Sequence, residues 1–248
     1  MYPAEVREQA LQLLQTPRSL NAISNQLGVA RSTLRTWRDH PVAHRPRCVR
    51  CGPEPGCPPQ RAYAHLLGLY LGDGCLSRAP RDVFFLRIVC CNDYPHLVDE
   101  CETSLLAVRP GRVWRVAAPG CTHVTAAWKH WPCLFPQHGA GSKHTRTIEL
   151  EPWQIAIVEH HPGPFLRGLF HSDGCRVANW TERMVAGQRK RYTYPRYFFT
   201  QKSTDIMGLC QWALGLLGIG YTMPTPDNLS VARKADVAAL DEHVGPKS

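Results

Sequence analysis

Two aspartates, each followed by a glycine, end two apolar stretches of this chain, and their carboxylates are the first candidates for chemistry. The stretch LLGLYLGDG covers residues 66–74, and FLRGLFHSDG covers residues 165–174. Carboxylate oxygens are the hard ligands that Mg²⁺ and similar ions prefer. If the stretches pack side by side, Asp73 and Asp173 meet and repel each other unless a cation lies between them. The repeat therefore predicts a divalent-metal site, whereas a single copy would indicate only an Asp-Gly helix end.

Small residues at matched positions would let the two stretches pack closely as helices. They are Gly68 and Gly72 in the first stretch, and Gly168 and Ser172 in the second. Pairing about a pseudo-twofold axis would place both aspartates at the same end. The 248 residues carry a net charge of +9, which suggests a polyanionic partner, nucleic acid first; a basic protein without such a partner is the alternative. Paired carboxylates on a basic surface fit two-metal phosphodiester hydrolysis.

The two stretches resemble the paired signature helices of the monomeric, two-motif LAGLIDADG homing endonucleases, and the resemblance covers roughly residues 62–248. It implies an α+β fold of two tandem αββαββα repeats, 62–160 and 161–248, with internal pseudo-twofold symmetry in a monomer. In this family two saddle-shaped sheets straddle double-stranded DNA, and the signature helices form the interface between the repeats. Apolar patterns agree with that order, and they predict a helix over 94–108 and a hairpin around Pro119.

The cofactor and its ligands also follow from the resemblance. Asp73 and Asp173 would each coordinate a divalent ion near one scissile phosphate, with the backbone carbonyls of Gly72 and Ser172 as further ligands. The implied ion is Mg²⁺ or another divalent ion such as Mn²⁺, or Ca²⁺ in a non-cleaving complex.

Members of the family place a polar residue, often Gln, and a basic residue near each scissile phosphate. The segment FFTQKS resembles such a strand end, and it points to Gln201 and Lys202 as catalytic residues. The corresponding place in the first repeat reads RIVCCND, with Cys90 and Cys91. The sequence therefore predicts an asymmetric site and unequal cleavage of the two strands.

A second similarity between the two repeats involves lysines. Lys143 in GAGSKH and Lys247 in VGPKS are candidates for paired basic residues that polarise the attacking water or stabilise the phosphate in the transition state. Solvated surface lysines are an equal alternative for both.

Basic and aromatic residues of the predicted sheets should face DNA. The run 183–202 contains no acid, with Tyr192, Tyr194 and Tyr197 interleaved among basic residues, and part of it is a candidate for a loop that orders on DNA. A helix is predicted over 205–219, with Leu209, Trp212, Leu216 and Leu217 inward. The DNA-contact candidates are Arg87, Arg112, Arg115, Lys129, Arg183, Arg189, Lys190, Arg191, Arg196, Arg233 and Lys234.

Residues 1–40 read as a small all-α helix-turn-helix domain. Ser19 can cap the second helix and Gly28 supplies the turn. The predicted core is Ile23, Leu27, Val29, Leu34 and Trp37. The exposed face of the third helix carries short polar groups and guanidiniums suited to a major groove: Arg31, Ser32, Thr33, Arg35, Thr36 and Arg38. A three-helix cap with a solvated basic face is the alternative.

Residues 41–61 form a linker rich in Pro and Cys. A CxxC pair and two neighbours are candidates for a Zn²⁺ site, with incidental free thiols as the alternative. These candidates are His44, Cys48, Cys51 and Cys57. The first residues carry no signal-peptide pattern, and no apolar run approaches membrane-spanning length, so a cytoplasmic protein with reduced thiols is expected, nucleoid-associated if bacterial.

Three functions are compatible with these features. The first is a metal-dependent, sequence-specific DNA endonuclease, which the two retained acids favour. The second is a DNA-binding transcriptional regulator that has kept the fold and lost cleavage. The third is an RNA-binding splicing helper, which the same basic surface would serve.

Overall fold

The computed structural model describes residues 4–39, 58–245 and 247, in two compact units, Met1–Cys48 and Val49–Ser248. The helices of the first unit are α1 (Ala4–Leu14), α2 (Leu20–Leu27) and α3 (Arg31–Asp39). They enclose a small core in which Ile23, Val29 and Leu34 are buried, while Leu27 and Trp37 are only partly buried.

The connection between α2 and α3 has the local chemistry that its sequence predicts. Ser19 caps α2 by accepting a hydrogen bond from the backbone N–H of Ala22 at 3.2 Å. Gly28 adopts a left-handed conformation with φ of 64°, which a glycine reaches without the cost of a β-carbon. The Ser24 hydroxyl donates to the Val29 carbonyl at 2.8 Å and closes the turn. These contacts define three packed helices; their assignment as a DNA-binding domain stays a prediction.

The first half of the second unit begins with a long buried helix and continues into an antiparallel sheet. Its elements are α4 (Gln60–Asp73), β1 (Gly74–Arg78), β2 (Phe84–Cys91), α5 (Pro95–Val108), β3 (Val113–Ala118) and β4 (Cys121–Trp128). The strands are ordered β1-β2-β4-β3, and α5 packs against the sheet. Two connecting helices follow, α6 (Trp131–Leu134) and α7 (Pro152–His160).

The second half repeats this order. Its elements are α8 (Pro162–Asp173), β5 (Gly174–Val185), β6 (Gln188–Thr200), α9 (Thr204–Leu216), β7 (Thr222–Thr225), β8 (Asn228–Val231) and α10 (Lys234–His243). The strand order β5-β6-β8-β7 is the same as that of the first sheet. The predicted α+β class with two tandem αββαββα repeats is thereby confirmed. None of the described helices is long and apolar enough to cross a membrane.

Three details differ from the sequence predictions. The run around 183–191 is not a loop, because β5 and β6 extend through it and turn only at Ala186 and Gly187. The buried face of α9 is also rotated, so that Leu216 is exposed while Leu209, Trp212 and Leu217 lie at the edge of the core. The buried residues of α9 are Ile206, Met207, Cys210, Ala213 and Leu214. Helix α7 had no predicted counterpart, whereas α10 takes the place of the last helix of the second predicted repeat.

The two motif helices, α4 and α8, pack against each other along their length. A β-carbon added to Gly68 would collide with the Phe165 carbonyl oxygen and lie 2.9 Å from the Leu169 nitrogen. At Gly168 it would collide with the His65 carbonyl oxygen in the same way. Only glycine permits such backbone contact, so the small residues of the motif serve the function predicted from their spacing.

Candidate active site

Asp73 and Asp173 end the two paired helices, and the close packing at Gly72 brings these ends together. A β-carbon on Gly72 would collide with the Ser172 side chain and lie 3.0 Å from Asp173 Oδ2. Each helix is followed directly by the first strand of its sheet, which begins at Gly74 or at Gly174. The two carboxyl groups therefore share one end of the helix pair, as the sequence predicts.

The pKa values of both acids are raised, chiefly by burial. Burial, followed by the charge of Asp73, raises the pKa of Asp173 to about 6. Burial also raises the pKa of Asp73, which the charges of Lys143 and Lys247 partly offset. Two partly buried carboxylates that repel each other are favourable only with positive charge beside them.

Lys143 and Lys247 supply part of that charge and occupy matching positions in the two repeats. Lys143 Nζ donates to the Tyr70 and Gly72 carbonyls at 2.6 and 2.7 Å, and Lys247 Nζ donates to the Ser172 carbonyl at 3.3 Å. Burial lowers the pKa of Lys143 to about 8 and lowers that of Lys247 as well. Neither lysine is a freely solvated surface group.

Each acid shares a cavity with the lysine of the opposite repeat, although Lys143 has a stronger charge effect than Lys247 on both acids. Asp173 and Lys143 both line an open cleft of about 440 Å³, and Asp173 is the strongest charge that acts on Lys143. Asp73 and Lys247 both line a second cavity of about 70 Å³, and Asp73 is the strongest charge that acts on Lys247. The two cavities are therefore composite, since each combines an acid of one repeat with a lysine of the other.

Strand register shows which residues stand beside each acid. Gly74 pairs with Ile88, and Gly174 pairs with Phe199, so Cys90 and Cys91 take the places of Gln201 and Lys202. Gln201 Nε2 donates to Asp173 Oδ2 at 2.8 Å. Lys202 is exposed and lines neither cavity.

The first repeat has a different arrangement at this place. Cys90 and Cys91 line the cavity that contains Asp73. Cys90 is 8% exposed, and a hydrogen bond with Cys101 of α5 lowers its pKa. Cys90 is thus engaged with its own sheet-covering helix, and Asp73 has no counterpart of the Gln201 amide in these strand ends.

The groups at the helix ends fit a hard divalent cation. The two carboxylates and the carbonyls of Gly72 and Ser172 form an all-oxygen set, which is the chemistry that Mg²⁺ selects. Ser172 Oγ is also buried there without a partner among the described residues. Lys143 donates to the Gly72 carbonyl and Lys247 to the Ser172 carbonyl, so both oxygens already lie beside positive charge.

The first sheet has its predicted basic residues on two different sides. Arg87 is exposed on β2, opposite in direction to the buried Leu86 and Ile88. Arg115 instead turns toward α5, where it donates to Asp99 and Glu102 at 2.7 Å. The expectation that Arg115 faces DNA is wrong on this geometry, because alternate residues of a strand point to opposite faces. Arg112 and Lys129 lie exposed at strand ends.

The extended β5–β6 hairpin carries most of the predicted basic residues of the second sheet. Arg183, Lys190 and Arg196 share one face by register, whereas Arg189 and Arg191 belong to the other. The Arg191 guanidinium lies 4.4 Å from the centre of the Trp180 ring. Arg233 and Lys234 are exposed.

One aromatic residue of the predicted reading surface is placed differently. Tyr197 is buried, and its hydroxyl donates to Asp241 at 2.6 Å. It supports α10 and is unavailable to DNA.

In the first unit, the α3 candidates are mostly accessible. Arg31, Ser32, Arg35 and Arg38 are exposed, Thr33 is half-buried, and Arg38 pairs with Asp39. The Thr36 side chain lies outside the described part of the structure. The zinc candidates also lie outside it: His44, Cys48, Cys51 and Cys57.

The structure also shows a polar cluster that sequence reasoning missed. His65 of α4, His171 of α8 and Glu100 of α5 present one ligand atom each within 4.8 Å of one another. Both carboxylate oxygens of Glu100 accept hydrogen bonds from Arg167, at 2.5 and 2.8 Å. Three separate helices contribute to the cluster, so no local spacing in the sequence could have indicated it.

The protonation of the cluster follows from its burial. Burial lowers the pKa of His65 to about 4 and that of His171 to about 3, so both imidazoles are neutral at pH 7. Burial acts to raise the pKa of Glu100, but the hydrogen bonds from Arg167 and nearby positive charge lower it overall. The cluster therefore combines two neutral imidazoles with one carboxylate.

Comparison with known proteins gives matches among solved structures alone. No protein-family model and no curated protein sequence matches the chain. Mesophilic variants of the homing endonuclease I-DmoI align over 75% of this chain and 96% of theirs, with 13% identity and a TM-score of 0.46. The N-terminal LAGLIDADG domain of WhiA aligns over 75% and 81%, with 16% identity and a TM-score of 0.43. The LAGLIDADG meganuclease I-AabMI, bound to uncleaved DNA, aligns over 74% and 84%, with 11% identity and a TM-score of 0.46. The paired helices and two matching sheets of this chain fit the two-motif LAGLIDADG fold.

Proposed function

We propose that this protein is a metal-dependent, sequence-specific endonuclease of double-stranded DNA. The observation that carries the proposal is the meeting of Asp73 and Asp173 at the ends of α4 and α8, where each acid shares a cavity with the lysine of the opposite repeat. Phosphodiester hydrolysis needs an activated water and stabilisation of charge on the phosphate. Paired acids and buried ammonium groups on a basic protein supply groups for both needs.

The residues have separable roles in this proposal. Asp73 and Asp173, with the Gly72 and Ser172 carbonyls, would hold Mg²⁺, which when bound lowers the pKa of water and neutralises phosphate charge. Lys143 and Lys247 hold positive charge beside the two acids and would stabilise the phosphate in the transition state. Gln201 orients the Asp173 carboxylate through its 2.8 Å hydrogen bond.

DNA binding would use the exposed faces of the two sheets and the β5–β6 hairpin. Arg87, Arg183 and Lys190 have the exposure and direction for phosphate or base contacts. Arg196 shares the face of Arg183 and Lys190 but is half-buried, and its Nε donates to Ser230 Oγ at 2.5 Å. The three N-terminal helices would add contacts outside the footprint of the sheets. The whole chain would act as a monomer, since it contains both acids.

The decisive experiment is selection of cleaved molecules from a randomised DNA library, with Mg²⁺ and without it. We expect the native protein to cleave one enriched sequence, and only when Mg²⁺ is present. The double variant Asp73→Asn, Asp173→Asn should cleave none. Specific binding of the library without cleavage in any divalent ion would overturn the nuclease assignment. That outcome would support the regulator, which the missing amide beside Asp73 favours.

The role of the N-terminal unit can be tested separately. Deleting residues 1–40 should weaken binding to the selected site. The slope of log K against log salt concentration should become shallower by a few units, because each lost phosphate contact removes about 0.9 from it. The Mg²⁺-dependent rate at saturating protein should remain. Unchanged affinity and slope would show that this unit has another function.

A further inference from the structure

We infer that His65, Glu100 and His171 form a second metal site, selective for a divalent transition ion of the Zn²⁺ type and distinct from the Asp73–Asp173 pair. It would join α4 and α8, which belong to different repeats, to α5 at the back of the active site. The inference does not rest on DNA cleavage, and it goes beyond the proposed function.

The orientation of the two imidazoles carries the inference. His171 Nε2 lies 3.1 Å from the Val244 carbonyl oxygen, which can only accept, so this nitrogen carries the proton and Nδ1 carries a lone pair. His65 Nδ1 lies 2.8 Å from the Ser104 hydroxyl, to which it donates when it is protonated, and Nε2 then carries the lone pair. Metal-binding histidines typically have this arrangement, in which the outer N–H is held and the inner nitrogen is free.

The inner nitrogens have nothing to bind in the described structure. His65 Nε2 and His171 Nδ1 are both buried without a hydrogen-bond partner among the described residues. They lie 3.6 and 4.0 Å from the Glu100 carboxylate oxygens, beyond hydrogen-bond distance. Unpaired buried polar atoms cost free energy, and here three electron-rich atoms converge on one point. A cation at that point would satisfy all three.

Distances and ligand chemistry select the ion. Metal–ligand bonds of 2.0–2.2 Å in a tetrahedral site imply ligand atoms roughly 3.4 Å apart. The separations of 3.6 to 4.8 Å would contract by about an ångström or less on average. Two imidazoles and a carboxylate suit Zn²⁺ and its neighbours, whereas Mg²⁺ prefers oxygen alone.

The remaining contacts complete the site. Each Glu100 oxygen keeps a lone pair after accepting from Arg167, so this arginine would orient the ligand without replacing the metal. The 70 Å³ cavity touches all three ligands and has room for a water as a fourth. The same cavity reaches Asp73 and Lys247, so the ion would stiffen one wall of the composite site.

The test is metal binding by full-length protein whose linker thiols have been changed to serine, Cys48→Ser, Cys51→Ser and Cys57→Ser. After treatment with a chelator, this parent protein should take up one Zn²⁺ per chain with a rise in Tm, because an ion that binds the folded state stabilises it. The Co²⁺ complex should show weak visible bands without the strong near-ultraviolet band of thiolate ligands. No stoichiometric uptake, or a thiolate band, would overturn the proposal.

Two matched variants locate the site. His65→Asn keeps a donor near the position of Nδ1, and His171→Gln keeps one near Nε2, while each removes the inner nitrogen. Each should weaken Zn²⁺ binding by at least about 100-fold, whereas Asp73→Asn with Asp173→Asn should leave it unchanged. Zn²⁺ binding that survives both histidine variants would contradict the site. Absence of Mg²⁺-dependent cleavage by the native protein, with Zn²⁺ binding intact, would instead count against the proposed function alone.

Discussion

The two composite cavities differ in the groups beside their acids, although the helices that carry those acids are packed symmetrically. Asp173 accepts a hydrogen bond from Gln201 and shares an open cleft with Lys143. Asp73 shares a narrower cavity with Lys247 and has Cys90 and Cys91 at the matching strand positions. Backbone packing at the helix pair constrains both repeats equally, whereas a side chain at a strand end can vary without disturbing the fold.

The largest expected effect comes from removing either acid. Asp73→Asn and Asp173→Asn should each lower the rate of double-strand cleavage by about 1,000-fold or more, since loss of a metal-binding carboxylate removes several kcal/mol of transition-state stabilisation. DNA affinity should change little, because the exposed sheet faces are intact. Cleavage of a plasmid bearing the selected site, with binding measured in parallel, checks both expectations. Full activity of the Asp73→Asn protein would refute the role of this acid.

A smaller effect should separate the two strands. Because Asp73 lacks an amide partner, we expect a nicked intermediate to accumulate before linear product. Gln201→Ala should slow the faster strand by about 10- to 100-fold, as expected for a lost hydrogen bond to a charged group. The two nicking rates should then approach each other.

The converse change gives the matched experiment. Cys90→Gln with Cys91→Lys should shorten the lifetime of the nicked species, because both positions line the cavity that contains Asp73. Cys133→Ser, an exposed position on α6 that lines neither cavity, serves as the control. Linear product that forms without a nicked phase in the native protein would show that the asymmetry has no catalytic consequence.

Much of the fold was predictable because it depends on local pattern. The Asp-Gly repeat and its small residues predicted the helix pair, and strand endings predicted that Gln201 matches Cys90. The predictions that failed depended on the face of the sheet to which a side chain points. Only the strand register decides that Arg115 turns toward α5 and that Tyr197 is buried. The His65 cluster was beyond reach, because helices that are distant in sequence assemble it.

The symmetry of the helix pair can itself be tested. Gly68→Ala and Gly168→Ala should each destabilise the protein by about 1–3 kcal/mol or more, since the new methyl group meets backbone that cannot move aside. The two losses should be similar, unlike the effects at the active site. Gly208→Ala is the control, because a β-carbon there meets nothing within 4 Å and alanine favours helix. Thermal unfolding measures all three, and strongly unequal losses at the two motif glycines would contradict a symmetric interface.

The smallest expected effect concerns stability and pH in the metal-free protein. The folded-state pKa of Asp173 is raised to about 6, above the value near 4 of an unfolded chain. The folded state therefore binds more protons than the unfolded state between these values, so the contribution of Asp173 to stability falls as the pH rises from about 4 to about 6. Asp173→Asn removes that contribution, and its Tm in chelator should exceed that of the native protein more at pH 7 than at pH 4.

Asp73→Asn distinguishes the two causes of this shift. Removing the Asp73 charge lowers the pKa of Asp173 but leaves its burial, which is the larger cause. The fall in stability between pH 4 and pH 6 should therefore persist in part in Asp73→Asn, whereas Asp173→Asn should lose more of it. Comparing each variant with the native protein cancels other groups that titrate in this range. Identical profiles of Tm against pH for the native protein and Asp173→Asn would show that the pKa of the Asp173 carboxyl is not raised. The proposed metal site depends on a buried carboxylate that lacks a fully neutralising partner, so this result would count against it.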